Sequence, residues 1–313
     1  MRRRLAAVPL TLLGVSLLVF LATDVLPGDV GRTVLGREAS AEAVAAYNRQ
    51  LGLDDPVWLR YIHWLWHFIT GDWGVSYTLR EPVAGLVRDR LAASLTLALF
   101  AFVLLVPVAV GAGLAAGARH DTWLDRVISA TGLALGATPE FVTGVVLLVV
   151  FAVQLHWFPV SARSEPGDGP LAVLARLFLP ALSLVLLCTG YVARHVRAST
   201  IAVVGGGYVR AARLRGTPPG RILTRHVLRN ATVPATSALG VQLQFLLGGL
   251  VVVELLFNYP GLGALLLQSA VDKDVPTLQA TAMVLGLAYL AVTLLTDLTY
   301  RLLDPRVRFE VRA

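Results

Sequence analysis

Six stretches of this 313-residue chain run for about twenty residues or more with few charges. They can be drawn at Leu5–Leu26, Ala92–Ala116, Val127–Val153, Leu171–Ala193, Val233–Leu256 and Gln279–Leu303. A helix of about 20 residues spans the ~30 Å hydrocarbon core of a bilayer. Backbone N–H and C=O groups at that depth find no water, so each stretch has to close its own hydrogen bonds as a helix. The expected fold class is therefore all-α: a polytopic membrane protein with six transmembrane helices. The chain is 56% hydrophobic and 15% charged, where a soluble domain carries roughly a quarter charged residues. The first run follows Met1 and three arginines, as a signal peptide would. It is longer than the usual apolar region of such a leader and has no clear small-x-small site before Asp24, so a retained helix is expected. Cys188 is the single cysteine and lies inside an apolar run, which excludes a disulfide framework and a thiolate metal cluster.

The net charge of +7 reads as a topology signal rather than a nucleic-acid footprint. Of the 27 basic residues, 17 fall in segments that the spans place on one side: the N-terminus, the 117–126 loop, the 194–232 loop and the tail. The other side holds ten, most of them in the long 27–91 segment, and long segments translocate largely regardless of charge. Both termini and the 194–232 loop are therefore expected in the cytoplasm. That loop holds Arg194, Arg197, Arg210, Arg213, Arg215, Arg221, Arg225 and Arg229. At about 3 kcal/mol per arginine in mid-bilayer, it cannot itself be a span.

Positive-inside bias accounts for the loop's charge but not for its layout. Gly205–Gly207 reads as a flexible joint. Tyr208–Arg215 reads as a short helix, with Val209, Ala212 and Arg213 at helical spacing. Gly216 and the prolines at 218 and 219 stop it, and Ile222–Ala231 reads as a second helix leading into the next span. A unit of this kind at the membrane surface suits the grip of a cytoplasmic partner. A DNA-binding helix-turn-helix is the formal rival, but this unit is tethered to two spans and lacks the apolar pattern of a free three-helix domain. Nucleic acid is not an expected partner.

"YVRAARLRG", Tyr208–Gly216, resembles the cytoplasmic signature loop of ABC importer permeases, in which Glu-Ala-Ala is followed after three residues by Gly. Ala211, Ala212 and Gly216 match, and Arg210 stands where many branches have Glu. "FLATDVLPGD" (20–29), "LGLDDPVWLRYIHWLWHFITGDWGVSY" (51–77), "VVVELLFNYPGLGALLLQSA" (251–270) and "LLDPRVR" (302–308) are similar to the dipeptide/oligopeptide/nickel branch, in its first permease subunit type. "KDVP" at Lys273–Pro276 departs from the usual Arg-Asp-Tyr-Pro. The resemblance implies the type I ABC importer permease fold and a second homologous permease. It also implies two ATPase subunits or domains and an extracytoplasmic substrate-binding protein. The implied ATPase-coupling residues are Tyr208, Val209, Arg210, Ala211, Ala212, Arg213, Arg215 and Gly216. The implied organisation is a cytoplasmic N-terminus with the first span at 1–26, an external segment at 27–91, a five-helix core at 92–303 and a cytoplasmic tail at 304–313.

No catalytic apparatus is legible. A Walker A loop needs Gly-Lys-Ser/Thr, and the only lysine, Lys273, is followed by Asp274. ATP and Mg²⁺ would be bound in partner ATPases, with no cofactor held by this chain. His63 and His67 have the i, i+4 spacing of a metal pair, but Trp58, Tyr61, Trp64 and Trp66 make an interfacial amphipathic helix the better account. No metal site is assigned. Ionisable residues at membrane depth are functional candidates. Asp24 and Asp297 lie near span ends, where headgroups or arginines are within reach. Glu254, and Pro139 with Glu140 and Phe141, are candidates for the translocation path or its gate, because a mid-span proline frees a carbonyl and can open a polar niche. "GLAAG" (113–117) and "GLALG" (132–136) are small-residue packing signals. In the external segment Ser40 can cap a helix. The "GDWG" turn and its surroundings, Asp72, Trp73, Gly74 and Tyr77, are the region where the resemblance places the binding protein.

The reading is an import permease for peptides, with nickel or another small solute as the alternative cargo. Two rivals come from other classes: an ion-gradient-driven secondary transporter, for which no internal repeat is evident, and a membrane scaffold.

Overall fold

The structure, a computed structural model, describes residues 2–24, 30–36, 38–50, 52, 54–222 and 227–303. Outside these lie the tail 304–313, Arg225 in the basic loop, and residues 25–29 of the 20–29 motif. Among the described residues the chain is helical throughout, with one isolated antiparallel bridge between Val75 and Pro82.

The helices follow in order: α1 (Arg2–Asp24), α2 (Val30–Leu35), α3 (Ala41–Gln50), α4 (Val57–Thr70), α5 (Val83–Ala118), α6 (Trp123–Ala137), α7 (Glu140–Leu147), α8 (Pro170–Val204), α9 (Gly207–Leu214), α10 (Pro219–Ile222), α11 (Leu228–Leu256), α12 (Leu262–Val271) and α13 (Val275–Leu303). A π-helical segment, Leu148–Gln154, continues α7. Four helices are long and apolar enough to cross a membrane: Val83–Ala118, Pro170–Val204, Ala235–Leu256 and Val275–Thr299. The pair Trp123–Ala137 and Glu140–Gln154 makes a fifth if taken as one broken span, and Val8–Asp24 is a shorter apolar helix.

Two expectations need correction. The third span, expected as one run over 127–153, is broken at Thr138–Pro139 and bends by 107°. The Pro139 ring disfavours helical backbone in the residue before it, and Thr138 is extended at φ −86°, ψ 130°. The fourth span, expected to end at Ala193, continues for eleven more residues to Val204. Arg194 and Arg197 therefore sit on a helix, not in a loop. The 35 residues of α8 make about 52 Å of helix, longer than the ~30 Å hydrocarbon core of a bilayer. The same applies to α5, whose 36 residues begin nine before the expected Ala92.

The chain divides into two compact units, one of residues 1–94 and 260–290, the other of 95–259 and 291–313. In the first, Val83, Val87, Leu262, Leu265, Ala280 and Val284 form a core, with Phe68 and Trp73 packed against it. The expected interfacial helix is α4. Its Tyr61 and Trp64 meet Phe20 of α1, and Arg60 pairs with Asp24 at 2.7 Å. The opposite stripe, Trp58, Ile62, Trp66 and Ile69, is exposed. Asp24 thus finds the arginine its place near a span end called for.

In the second unit α8 is the central helix, packed against α6, α7 and α11. Small residues set how close its neighbours come. A Cβ on Gly113 would lie 2.5 Å from Val196 Cβ and 2.6 Å from the Ala193 carbonyl, and one on Gly117 would lie 2.5 Å from Thr200 Cβ. Gly132 meets the Gly190 backbone in the same way. Both glycine signals are therefore contact surfaces for α8. Arg176, in the second turn of α8, ties down the loop that precedes the helix: its Nε donates to Asp168 at 2.8 Å, and its Nη2 pairs with Glu165 at 3.1 Å. The Glu165 amide, then the Arg176 guanidinium, hold the Asp168 carboxyl below its usual range.

Gly113→Leu should destabilise the folded chain by about 2 kcal/mol through overpacking, seen as a lower thermal midpoint in detergent. Gly111→Ala, where a Cβ meets nothing within 4 Å, should not lower the midpoint and should raise it slightly, because alanine loses less backbone freedom than glycine in a helix. A carboxyl whose pKa is depressed by folding stabilises above its ordinary value of about 4, and that contribution is lost as pH falls through the depressed one. Hydrogen exchange over residues 161–169, corrected for intrinsic rate, should therefore accelerate in acid. In Asp168→Asn it should be fast already at pH 7, with the acid response gone.

Candidate functional site

Eight residues make too short a helix to persist alone in water. α9 is held by its apolar side. Val209 and Ala212, three positions apart, are fully buried with Ile222, Val227 and Ala231, against Leu114, Val203 and Val204. Arg213, grouped with them by spacing, is exposed instead. So are Tyr208, Arg210, Leu214 and Arg215, while Ala211 is half-buried. The outward face thus combines three guanidinium groups with an aromatic ring and a leucine that is 84% exposed. The Asn230 amide donates to the Tyr208 hydroxyl at 3.3 Å.

The expected glycine stop is present in detail. Gly216 lies at φ +73°, where a side chain would be strained. Its N–H bonds the Arg213 carbonyl at 2.9 Å, and the Thr217 N–H reaches back to the Ala212 carbonyl at 3.1 Å. This is a Schellman termination, which satisfies carbonyls the helix end leaves open. The other end departs from expectation. Gly205 and Gly206 have ordinary negative φ, and Gly207 is already helical. Of the expected second helix, Ile222–Ala231, residues 223–226 lie outside the described residues; on either side the chain is helical, over Pro219–Ile222 and from Leu228 as the start of α11.

The platform under α9 includes an ion pair that sequence reading did not find. Asp125, buried at the start of α6, accepts two bonds from Arg197 of α8, at 2.5 Å and 2.6 Å. It also accepts from the Asp121 amide at 3.0 Å and from Ser129 at 3.3 Å. A carboxylate bound this way fixes the rotation of both helices, and removing either partner strands a buried charge. The signal that could have found it is the i, i+4 spacing of Asp125 and Ser129 on α6, with Asp121 in the turn just before that helix.

At the break, Glu140 occupies the first turn of α7, where the helix dipole favours its charge. Its carboxyl lies against Gly249 of α11: a Cβ there would come within 3.9 Å of the Glu140 Cδ. Further along, Gly144 faces Leu256 and Phe257. Glu254, fully buried on α11, lies about 7 Å of helix rise beyond Gly249. The two candidate acids are therefore on adjoining helices, beside the bend. Gln242 of α11 donates to the Cys188 carbonyl of α8 at 3.4 Å nearby, and Phe141 is exposed.

The external candidates are split by the structure. The Trp73 ring stacks on Phe68 at 5.2 Å, and its indole N–H bonds the Phe68 carbonyl at 3.0 Å. The Tyr77 amide donates to Asp274 at 3.2 Å, and burial, then Tyr47 and Asp274, push the Tyr77 phenol up to about 12. Asp274 is buried and also accepts from the hydroxyls of Ser76 and Thr277. Trp73 and Tyr77 are thus half-buried, each tied to its own unit by these contacts. Asp72 and Gly74, at φ +74°, remain exposed. Asp274 lies in the "KDVP" stretch, singled out in the sequence only for its departure from a pattern; its place as a buried acceptor was not legible there.

The comparisons agree with this architecture. The family described as the inner membrane component of binding-protein-dependent transport systems matches residues 109–309, and the N-terminal family of such membrane components matches residues 1–98. A protein of Brucella abortus (strain 2308), named for a peptide transport system permease, is 36% identical over 310 residues, covering 99% of this chain and 98% of its own length. The glutathione transport system permease protein GsiC of Salmonella typhimurium is 34% identical over 313 residues, and that of Escherichia coli O1:K1 is 34% identical over 309, each with 99% of this chain and 98% of its own covered. With both halves of its length matched and its helices apolar enough to cross a membrane several times, this multi-pass inner-membrane chain belongs to the family of binding-protein-dependent transport permeases, the membrane subunits of ABC importers.

Proposed function

We propose that this permease forms half of a translocation path for peptides and is driven through α9 by a separate ATPase. The observation that carries the coupling role is the division of α9 into a buried side, Val209 and Ala212, and an outward side of Tyr208, Arg210, Arg213, Leu214 and Arg215. A leucine and a tyrosine left in water next to three arginines suit a partner's groove better than solvent. The cargo reading is supported by relatives named for peptide and glutathione transport.

In this reading the chain crosses six times, with α1 first and the bent pair third, and both termini and α9 are cytoplasmic. The arginine distribution supports that orientation. A second homologous permease completes the path, two ATPase subunits or domains bind ATP and Mg²⁺, and an extracytoplasmic binding protein delivers cargo near the exposed Asp72 and Gly74. Closure of the ATPases on ATP would push α9 as a rigid body. Its buried side touches Val203 and Val204 at the end of α8, and Ala231 at the start of α11. Displacement would therefore pass into α11, whose Gly249 and Glu254 border the bend at Pro139, Glu140 and Phe141. Those residues are the proposed gate.

The double variant Tyr208→Ala/Leu214→Ala should lower ATPase co-purification and ATP-dependent peptide uptake in proteoliposomes by about 30-fold, the scale of losing an interface anchor of 2 kcal/mol. Its thermal midpoint should match the parent chain, and Arg119→Gln should behave as wild type in all three. Full uptake by the double variant would remove the coupling role from α9. Separately, Gly216→Val should cost α9 about 1–2 kcal/mol, because a branched side chain is forced to positive φ. Hydrogen exchange should rise over 207–217 and stay unchanged over α8.

A further inference from the structure

Gly132 of α6 and Gly190 of α8 touch backbone to backbone, and some two turns away the same helices are bridged by Asp125 and Arg197. Between these two contacts the helices part around a cavity of about 320 Å³. Its walls include Ile128, Ser129, Leu133, Ala193, Arg194 and Arg197. Two chemistries meet there. Leu133 and Ile128 offer an apolar trough, and Leu133 is 63% exposed. Arg194 supplies charge at one end, and Arg126, one turn before Ser129 on the same face of α6, adds more. Arg197 is committed to Asp125, while Arg126 and Arg194 are exposed and have no acidic partner among the described residues. Asp125 and Asp121 both act on Arg197, so Arg194 in the wall and Arg126 beside it leave the groove net positive next to an uncovered hydrocarbon strip.

An aqueous anion gains nothing from the leucine, and an apolar helix of another subunit would bury two guanidinium groups without compensation. A ligand with an anionic head and an apolar tail satisfies both ends. Basic recesses between membrane helices near the cytoplasmic face fit acidic headgroups on this ground. We propose that the α6–α8 groove binds one anionic phospholipid, its phosphate between Arg126 and Arg194 and an acyl chain along Ile128 and Leu133. The bound lipid would brace α6 against α8, whose far end carries the Val203 and Val204 on which α9 rests, whatever solute the importer carries.

The test uses the assembled importer, extracted in detergent and exchanged against equimolar palmitoyl-oleoyl phosphatidylglycerol and phosphatidylcholine, with native mass spectrometry counting the lipid retained on this subunit. Wild type should retain one phosphatidylglycerol in clear preference to phosphatidylcholine. Arg194→Gln should reduce that retention about fivefold, and Arg126→Gln/Arg194→Gln about 25-fold, the scale of one basic residue each at an anionic surface. Leu133→Trp, which fills the trough and keeps the charge, should abolish it, and excess inorganic phosphate should not displace the lipid. Unchanged retention in the double arginine variant would overturn the proposal. So would displacement by phosphate, which would make this a free-anion site, and so would an absence of retained lipid in the assembled complex, which would mean another subunit covers the groove.

Discussion

The close approach of α8 to its neighbours is the constraint on which the rest of the second unit depends. In lipid, apolar side chains gain little by leaving one another's company, so helices are held by fine packing and by polar links. Gly113, Gly117 and Gly132 supply the first by letting α5 and α6 reach the α8 backbone. Asp125 and Arg197 supply the second where α6 and α8 near their arginine-rich ends. With those contacts made, the end of α8 is fixed, and Val203 and Val204 present a surface on which a short helix can rest.

α9 illustrates how little apolar area is needed to hold a short helix in place. Two residues, Val209 and Ala212, anchor it, and one glycine at positive φ ends it. The remaining surface is left for something else. Because its anchors are shared with the beginning of α11, α9 cannot shift without disturbing that helix. Its charged and apolar outward residues are therefore more than positive-inside bias. The same α11 carries Gly249, which makes room for Glu140, and the buried Glu254. A bend with an acid at its first turn, packed on a helix whose own start packs against α9, is a continuous arrangement within one unit.

Much of this was readable from residue order. Tyr208–Gly216 announced a short helix with a glycine end because its stop signals are local. Pro139 marked trouble in the third apolar run for the same reason, since the clash is with its immediate neighbour. The size of the effect was not readable: a proline can be absorbed as a kink when neighbouring helices satisfy the freed groups, or it can end the helix outright. The end of α8 was misjudged because charge was taken to mean loop. Arg194 and Arg197 in fact alternate with buried Val192, Val196 and Thr200 on one continuous helix. Trp73 and Tyr77 looked like contact residues because aromatic side chains in an external turn suit both a partner and a core.

Sequence alone determined the helical class and the crossing of a membrane, since both follow from run length and backbone hydrogen bonding. Tertiary structure alone decided which side chains face inward. Asp125 meets Arg197 across 72 positions of chain, and Asp274 meets Ser76 across 198, because packed helices bring together residues whose order along the chain carries no trace of the meeting.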